Sequence, residues 1–454
     1  MNAKQIEINK KLQSLCDNLS VNENGTLLFA GESARELADA YGTPLYVMDE
    51  KRIRQNARVY LDAFKKYFPE GSMPLYASKA NSFKQIYRIM KEEGMGIDVV
   101  SSGEICTAAV AGFPLENAYF HSNNKTDSDI LYGMEKNVGF FVADSIWEID
   151  RIEAIAASLG KVQNVLLRIT PGIDPHTYKA VCTGQVDSKF GSAIETGQAE
   201  EITAYTLKQP HINLEGFHCH VGSQVFSEDV FERASIVMLE FANMIREKYG
   251  YAMKRLNLGG GYGVRYVEDD PRIDIGEKIG CVAEVIKNFC EEHSFPMPLI
   301  FMEPGRSIVA DAGLTLYTVG SVKQIPGYKN YVSVDGGMTD NPRFALYGSR
   351  YTVLAAEKLF EDDCLTASVV GRCCESGDII QEDVYLPSSI TRGDILAVST
   401  TGAYNYSMSS NYNRIPRPPV VMVKGAEDCE ASLEKRTYVA VKRESVEDIS
   451  RLDV

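Results

Sequence analysis

Short apolar runs alternate with longer amphipathic stretches between residues 74 and 305. Eight of these runs have the length and composition of buried strands, namely PLYAS (74–78), GIDVVS (96–101), NAYFHS (117–122), GFFVAD (139–144), NVLLRIT (164–170), LEGFHCH (214–220), RLNLGG (255–260) and PLIFME (298–303). The segments between them, such as SDILYGMEKN and EIDRIEAIAASLG, carry apolar residues at helical spacing. Strand alternating with helix eight times over about 230 residues predicts an α/β fold, a (β/α)₈ TIM-type barrel.

The pattern changes from about residue 310 onward. TLYTVGSVKQI, YVSVDGG, CLTASVVG, GDILAVST and PPVVMVK alternate with turn residues and lack helical periodicity, which predicts a β-rich C-terminal domain. We therefore expect an N-terminal extension (1–43) whose strands contribute to the β-domain, a barrel domain (44–310), the C-terminal β-domain (311–440) and a tail (441–454).

Composition and charge narrow the classes of function. Apolar residues make up 44% and charged residues 24% of the 454 residues, which is ordinary for a globular protein. With 47 basic and 62 acidic residues the net charge is -15, which disfavours binding to nucleic acid or to an anionic membrane. The first residues carry no apolar stretch typical of an export signal, so we expect a cytoplasmic protein whose ten cysteines are free thiols.

Polar and glycine residues follow the predicted strands, and in a barrel the carboxyl ends of the strands share the face that carries active sites. Lys79 follows the first strand, where a buried lysine with a lowered pKa could attack an aldehyde. The alternative is a lysine that reaches solvent from a strand end. Gly259, Gly260 and Gly261 follow the seventh strand, where backbone N–H groups could hold a phosphate, or could simply form a tight turn.

Two further strand ends add candidate chemistry. Glu303 and Arg306 follow the eighth strand and could hold a protonated ring nitrogen and an anion, or could pair with each other. His218 and His220 lie on one face of the sixth strand. A barrel metal hydrolase could use them as ligands, but His220 stacking on a flat cofactor ring, with Ser223 binding a phosphate, fits the neighbouring residues better.

An amine nucleophile, a phosphate cradle, a carboxylate for a ring nitrogen and a stacking imidazole are together what pyridoxal 5'-phosphate needs. With these residues in view, the sequence resembles the fold-type III pyridoxal-phosphate decarboxylases, and among them those that act on meso-diaminopimelate. The resemblance covers about residues 40 to 420 and is carried by YASKAN (76–81), DVVSSGE (98–104), HSNNK (121–125), TGQVDSKFG (183–191), GFHCHVGSQ (216–224), LNLGGGYG (256–263), EPGRSIVA (303–310), DGGMTDNPRFALYG (335–348), CESGD (374–378) and GAYNYSMSSNYN (402–413).

The resemblance implies a role for each matching residue. Lys79 would carry the cofactor on its amine, His220 would stack on the ring, and Glu303 would keep the ring nitrogen protonated. Cys374 would be the proton donor. Phosphate binding would fall to Ser223, Gly260, Gly261, Gly305, Arg306 and Tyr404. Substrate binding would fall to Arg306, Arg343, Tyr347, Glu375 and Tyr404, and no metal is expected.

The implied reaction is decarboxylation of meso-diaminopimelate to L-lysine, the last step of lysine biosynthesis. The resemblance also implies a homodimer in which Cys374 and Glu375 reach the partner's active site, with a small amino acid as substrate and neither nucleic acid nor membrane as a partner. The alternatives, in order, are a relative that acts on D-ornithine, D-lysine or another basic amino acid, a silent cofactor-binding homologue, and the metal hydrolase.

Overall fold

The structure, a computed structural model, describes residues 3–173, 185–227, 229–425, 433–451 and 453. The first two residues of the TGQVDSKFG motif lie outside these ranges. The strands, numbered in chain order, are β1 (Leu19–Val21), β2 (Leu27–Phe29), β3 (Glu32–Ser33), β4 (Leu45–Asp49), β5 (Met73–Ala77), β6 (Gly96–Val99), β7 (Ala118–Phe120), β8 (Phe140–Ala143), β9 (Gln163–Thr170), β10 (Ser192–Ala193), β11 (Ile212–His218), β12 (Arg255–Asn257), β13 (Leu299–Met302), β14 (Gly313–Ile325), β15 (Lys329–Val334), β16 (Val353–Ala355), β17 (Asp363–Val370), β18 (Ile379–Pro387), β19 (Ile395–Ser399), β20 (Val420–Val423) and β21 (Thr437–Val441).

The helices, also in chain order, are α1 (Ala3–Leu15), α2 (Ala34–Tyr41), α3 (Glu50–Tyr67), α4 (Lys84–Glu93), α5 (Ser102–Val110), α6 (Asp127–Glu135), α7 (Ile146–Leu159), α8 (Gln198–Thr206), α9 (Val230–Tyr249), α10 (Ile275–Glu292), α11 (Arg306–Val309), α12 (Arg343–Tyr347), α13 (Leu433–Arg436) and α14 (Val446–Ser450). Among the described residues, none of these helices combines the length and apolar character that crossing a membrane requires.

Eight parallel strands form a closed barrel. They pair in the order β5, β6, β7, β8, β9, β11, β12 and β13, and β13 pairs with β5 to close the ring. Each strand predicted from the apolar runs forms one of these eight, so the predicted (β/α)₈ barrel is confirmed. The connecting helices follow their apolar pattern. In α4, for example, Ile86, Ile89 and Met90 are buried on one face, and the helix ends at Gly94 in the left-handed conformation.

The barrel interior is packed in layers. Leu75, Tyr119, Val142, Leu166 and Phe301 come from five different strands and form one apolar cluster, so this part of the barrel is a core rather than a channel. Polar side chains occupy the carboxyl ends of the same strands, and they form the candidate site described below.

The second compact unit is rich in β-structure. It comprises the chain up to residue 55, residues 264–272 and the chain from residue 308 onward, and its larger sheet confirms the predicted β-rich domain. At the centre is β14, which pairs with β4 and β19 along its first half and with β15 along its second half. The sequence assigned residues 44–55 to the barrel domain, whereas β4 pairs with β14 and β20 in this sheet. A strand of five buried residues fits either sheet by pattern, and only the pairing partner separates the two assignments.

Candidate active site

Glu303 is the centre of the polar layer in the barrel. It lies immediately after β13 and is 8% exposed. The Nδ2 of Asn257 donates to its Oε1 at 2.7 Å, and the Nε2 of His121 lies 2.8 Å from the same oxygen. The Nε2 of His218 bonds Oε2 at 3.2 Å. Three strand ends of the barrel therefore hold one carboxylate in a fixed orientation.

The surrounding charges determine which of these groups is ionised. Burial raises the pKa of Glu303, but the neighbouring His121 and His218 outweigh it and hold the pKa well below its usual range. Burial lowers the pKa of His218 to about 4, although Glu303 acts in the opposite direction. Asp98 on β6 is also buried, and its pKa is raised chiefly by that burial. At neutral pH the layer therefore holds an anionic Glu303 beside a neutral His218.

Lys79 lies in a 3₁₀ turn, Ser78–Ala80, that directly follows β5. Lys79 is exposed, whereas Ser78 and Ala80 on either side of it are buried. The expectation of a buried lysine at the end of the strand was therefore wrong, because the chain turns one residue before Lys79 and directs it out of the strand. The turn still places the amine at the carboxyl end of the barrel, where the sequence predicted it.

His220 and the glycine turn are packed against each other. The backbone N–H of Gly260 donates to the Nδ1 of His220 at 3.2 Å, which fixes the half-buried imidazole ring. Burial, with the nearby charges of Lys79 and Arg168, holds the pKa of His220 well below its usual range, so the ring is neutral.

The glycines allow this close packing. A Cβ at Gly260 would lie 2.0 Å from the carbonyl oxygen of Glu303, and one at Gly261 would lie 2.1 Å from that of Gly222. Gly261 also has φ +127°, which side chains rarely adopt. The turn therefore needs glycine for its backbone path, and it brings its N–H groups close to the neighbouring strand ends.

Ser223 and Arg306 meet across the carboxyl ends of the last strands. The Nη2 of Arg306 donates to the Oγ of Ser223 at 2.9 Å, and Arg306 is only 7% exposed. Gly305 precedes the arginine, and a Cβ there would lie 2.9 Å from the Cβ of Ala77. The alternative of a mutual ion pair between Glu303 and Arg306 is not what the structure shows, since Glu303 contacts histidines and Asn257 instead.

The residues that could bind a metal in the structure differ from the pair that the sequence suggested, His218 and His220. His121, His218 and Glu303 have ligand atoms within 4.8 Å of one another, whereas His220 is not in this group. The grouping has a simpler cause, since each histidine contacts a carboxylate that Asn257 also holds.

Arg343 is the central charged residue of a second cluster, in the β-rich unit. It opens α12 and is 6% exposed. Its guanidinium lies 5.2 Å from the ring of Tyr404, 5.8 Å from that of Tyr266 and 5.9 Å from that of Tyr347. Burial lowers the pKa of Arg343, but the nearby Tyr351, Tyr266 and Tyr404 outweigh it and raise that pKa above its ordinary value. Within the described chain its Nε and Nη1 are buried without a hydrogen-bond partner, which suits an arginine that binds an anion.

Cys374 and Glu375 lie in the loop between β17 and β18, and both are exposed. Cys374 is therefore an accessible thiol and not a buried, inert one. The adjacent Cys373 is half-buried, and burial together with Asp378 raises the pKa of its thiol to about 12. At neutral pH Cys373 is thus a neutral thiol.

Asn257, Asp98 and Tyr266 were not predicted as site residues, although the first two lie within recognised motifs. Asp98 stands on β6, where the other residues are buried and apolar, and Asn257 follows the buried, apolar Leu256 at the end of β12. A polar residue next to buried, apolar residues of a barrel strand could have indicated a site residue, because such a residue faces the barrel interior. Tyr266 had no such signal, since its partner Arg343 is far away in sequence.

The residues of the barrel fit pyridoxal 5'-phosphate. Of the two oxygens of Glu303, Oε2 contacts only His218 among the described residues, so it can accept a further hydrogen bond from a ring N–H. Ser223, Arg306 and the glycine turn lie at three successive strand ends and offer donors to a phosphate. Lys79 supplies the amine. The barrel therefore has the features of a pyridoxal-phosphate enzyme.

The comparison with known families agrees. Residues 51–310 match the model of the pyridoxal binding domain of the pyridoxal-dependent decarboxylases, and the chain belongs to this family. The predicted family and cofactor are confirmed.

Within it, the chain is similar to diaminopimelate decarboxylases. It is 44% identical to that of Bacillus subtilis (strain 168), over 95% of this chain and 96% of the relative. It is 36% identical to that of Mycobacterium tuberculosis, over 96% and 97%.

Solved structures give the same result. The diaminopimelate decarboxylase from M. jannaschii in complex with L-lysine has a TM-score of 0.86 and 33% identity, covering 96% of this chain and 98% of that one. The enzyme from Helicobacter pylori complexed with L-lysine has a TM-score of 0.81 and 32% identity, over 92% and 98%. A lysine/ornithine decarboxylase from Vibrio vulnificus, at 22% identity and a TM-score of 0.73, supports the fold alone.

Proposed function

We propose that this protein decarboxylates meso-diaminopimelate to L-lysine and carbon dioxide, with pyridoxal 5'-phosphate as cofactor. The observation that carries the proposal is similarity along nearly the whole chain to diaminopimelate decarboxylases, at up to 44% identity among the relatives described above. The buried Arg343 with two unpartnered nitrogens supports it independently, since this substrate has a second carboxylate far from the reacting carbon.

Each barrel residue has a defined task in this proposal. Lys79 holds the cofactor through its amine, and the residues proposed to bind its phosphate are Ser223, Gly260, Gly261, Gly305, Arg306 and Tyr404. The neutral imidazole of His220 packs on the ring face. When bound there, pyridoxal phosphate would supply an electron sink for the pair left at Cα by the loss of carbon dioxide.

Glu303 makes that chemistry possible at neutral pH. Because His121 and His218 hold its pKa low, the carboxylate stays anionic and would keep a proton on the ring nitrogen of the cofactor. Cys374 then returns a proton to Cα. Cys373 is less suited to this, since it is half-buried beside Asp378.

Substrate selection is proposed to depend on the β-rich unit. Arg343 binds the distal carboxylate, with Tyr347 and Arg306 also contacting substrate, and Glu375 pairs with the distal ammonium. A substrate with a single carboxylate, such as D-ornithine or D-lysine, has no distal carboxylate for Arg343 to bind. These basic amino acids remain the second candidate.

Assays of each substrate separately test the choice. The cofactor-loaded protein should form lysine from meso-diaminopimelate and leave D- and L-lysine, ornithine and arginine untouched. In the Arg343→Lys variant, KM should rise about 10²-fold with a smaller change in kcat, because the lysine ammonium cannot form the bidentate hydrogen bond that a guanidinium makes with a carboxylate. Arg350→Lys is the matched control, since Arg350 is exposed seven residues further on. Turnover of a basic amino acid with meso-diaminopimelate unused would overturn the substrate assignment.

We further propose a homodimer, in the cytoplasm, in which Cys374 and Glu375 act in the partner's active site. Their exposure supports this, because a residue that serves a second copy has to lie on the surface of its own.

Complementation between two inactive variants tests the shared site. Lys79→Ala and Cys374→Ala proteins, each nearly inactive alone, are unfolded, mixed and refolded together. If sites are shared, each mixed dimer contains one site with both native residues, so activity should recover to about a quarter of wild type. Each variant refolded alone is the control. A mixture that stays inactive although mixed dimers form would show that each protomer uses its own Cys374.

A further inference from the structure

Two loops of the β-rich unit emerge side by side. Strands β15 and β17 run parallel, with Ser333 opposite Val370 near their carboxyl ends. The loop after β15 leads to Arg343, and the loop after β17 carries Cys374 and Glu375. Residues proposed to bind substrate and to move a proton therefore depend on two neighbouring loops. The backbone N–H of Arg372 in the second loop donates to the carbonyl oxygen of Gly336 in the first at 3.1 Å.

Asp378 joins these loops. It ends the second loop and is only 3% exposed. Its Oδ1 accepts from the backbone N–H of Met338 in the first loop at 2.6 Å, and its Oδ2 accepts from the backbone N–H of Cys373 in the second loop, also at 2.6 Å. One buried carboxylate thus satisfies a donor in each loop.

Two glycines make room for this carboxylate. A Cβ at Gly337 would lie 2.4 Å from Oδ1, and a Cβ at Gly371 would lie 2.3 Å from Oδ2. The same Cβ at Gly371 would lie 2.5 Å from the Cα of Gly337, so the two backbones are in direct contact beside Asp378. Glycine at these two positions therefore leaves room for the Asp378 carboxylate.

We propose that Asp378 is a positioning residue that holds the loop of Cys374 and Glu375 in register with the loop that leads to Arg343. Its buried carboxylate acts through those residues and does not itself bind substrate. This inference rests on the proposed function, because it takes the roles of Cys374, Glu375 and Arg343 from there.

Kinetics of the Asp378→Asn holoenzyme test the proposal. The amide group cannot accept from one of the two N–H groups, so the loops should shift and kcat/KM for meso-diaminopimelate should fall at least about tenfold, toward the roughly 10²-fold that small misplacements cost. Cofactor content and its visible spectrum should be unchanged. Asp394→Asn is the matched control, since Asp394 also accepts a backbone N–H, from Thr391, and is not one of the predicted site residues. It should stay within about twofold of wild type.

A double-variant cycle separates positioning from a general structural role. If Asp378 acts partly through Cys374, Asp378→Asn should lower kcat much less in a Cys374→Ala background than in the wild type. An equal fold-loss in both backgrounds would overturn the positioning role, as would wild-type kcat/KM in Asp378→Asn.

Glycine variants keep the test open if Asp378→Asn fails to fold. Gly371→Ala should displace the same carboxylate and lower kcat/KM, whereas Gly320→Ala, whose Cβ meets nothing closer than 3.7 Å, should not. Equal effects of the two glycine variants would overturn the proposal. Failure of the proposed function would look different, since the wild-type protein would then form no lysine from meso-diaminopimelate.

Discussion

Replacing Lys79 with alanine is expected to lower lysine formation by at least about a thousandfold, as loss of a covalently acting group typically does. Alanine has no amine to hold the cofactor. Arg306, Ser223 and the glycine turn remain, so cofactor should still bind, but without the visible absorbance of its lysine-linked form. The measurements are kcat for meso-diaminopimelate and the absorption spectrum of the purified protein.

Lys84→Ala is the matched control for this prediction. Lys84 is an exposed lysine in the first turn of α4, five residues beyond Lys79, and it has no part in the proposed site. It should retain wild-type kcat and spectrum. A Lys79→Ala enzyme that still turns over would contradict the mechanism, whatever its spectrum.

Replacing Glu303 with glutamine is expected to lower kcat by about 10² to 10³-fold with little change in KM. The estimate is the usual cost of removing one preorganised electrostatic group. The substitution keeps the size of the side chain but removes the negative charge that lies between His121 and His218, so the ring nitrogen loses the partner that keeps it protonated. Steady-state kinetics with meso-diaminopimelate measure both parameters.

Glu215→Gln separates the lost charge at Glu303 from the general effect of changing a buried glutamate. Glu215 is also 8% exposed and lies in the barrel, on β11, where it pairs with Lys254 and Arg255. Its variant should keep kcat near the wild-type value, even if stability falls. Equal losses of kcat in the two variants would argue against a special role for Glu303.

The eight barrel strands could be predicted because each is a short apolar run between helical patterns. Burial on both faces of a parallel strand leaves a continuous apolar signal in the sequence. The same argument could not place β4. Its residues Leu45–Asp49 are all buried, and whether they joined the barrel or the second sheet depended on pairing with β14 and β20.

The site shows the same division. Residue types and their places at strand ends indicated Lys79, His220, Glu303 and Arg306, because the chemistry of a cofactor restricts which side chains can serve. The exposure of Lys79 could not be predicted, since it depends on a 3₁₀ turn that begins one residue earlier. The histidines and Asn257 that orient Glu303 come from other strands, and no local pattern links them to it.

The sequence by itself determined the barrel and the β-rich domain, because periodicity is a local property of the chain. Its reactive residue types indicated the cofactor, and the resemblance of its motifs indicated the family. The tertiary structure decided which ionisable groups lie close enough to change one another's pKa. It set His121 and His218 beside Glu303 and thereby fixed the ionisation of that carboxylate. It also placed the loops after β15 and β17 in contact at Gly337 and Gly371, where the carboxylate of Asp378 accepts a hydrogen bond from each loop. The electrostatic and hydrogen-bond energies of these contacts depend on distances between residues that are far apart in sequence. The pattern of residues along the chain does not specify those distances.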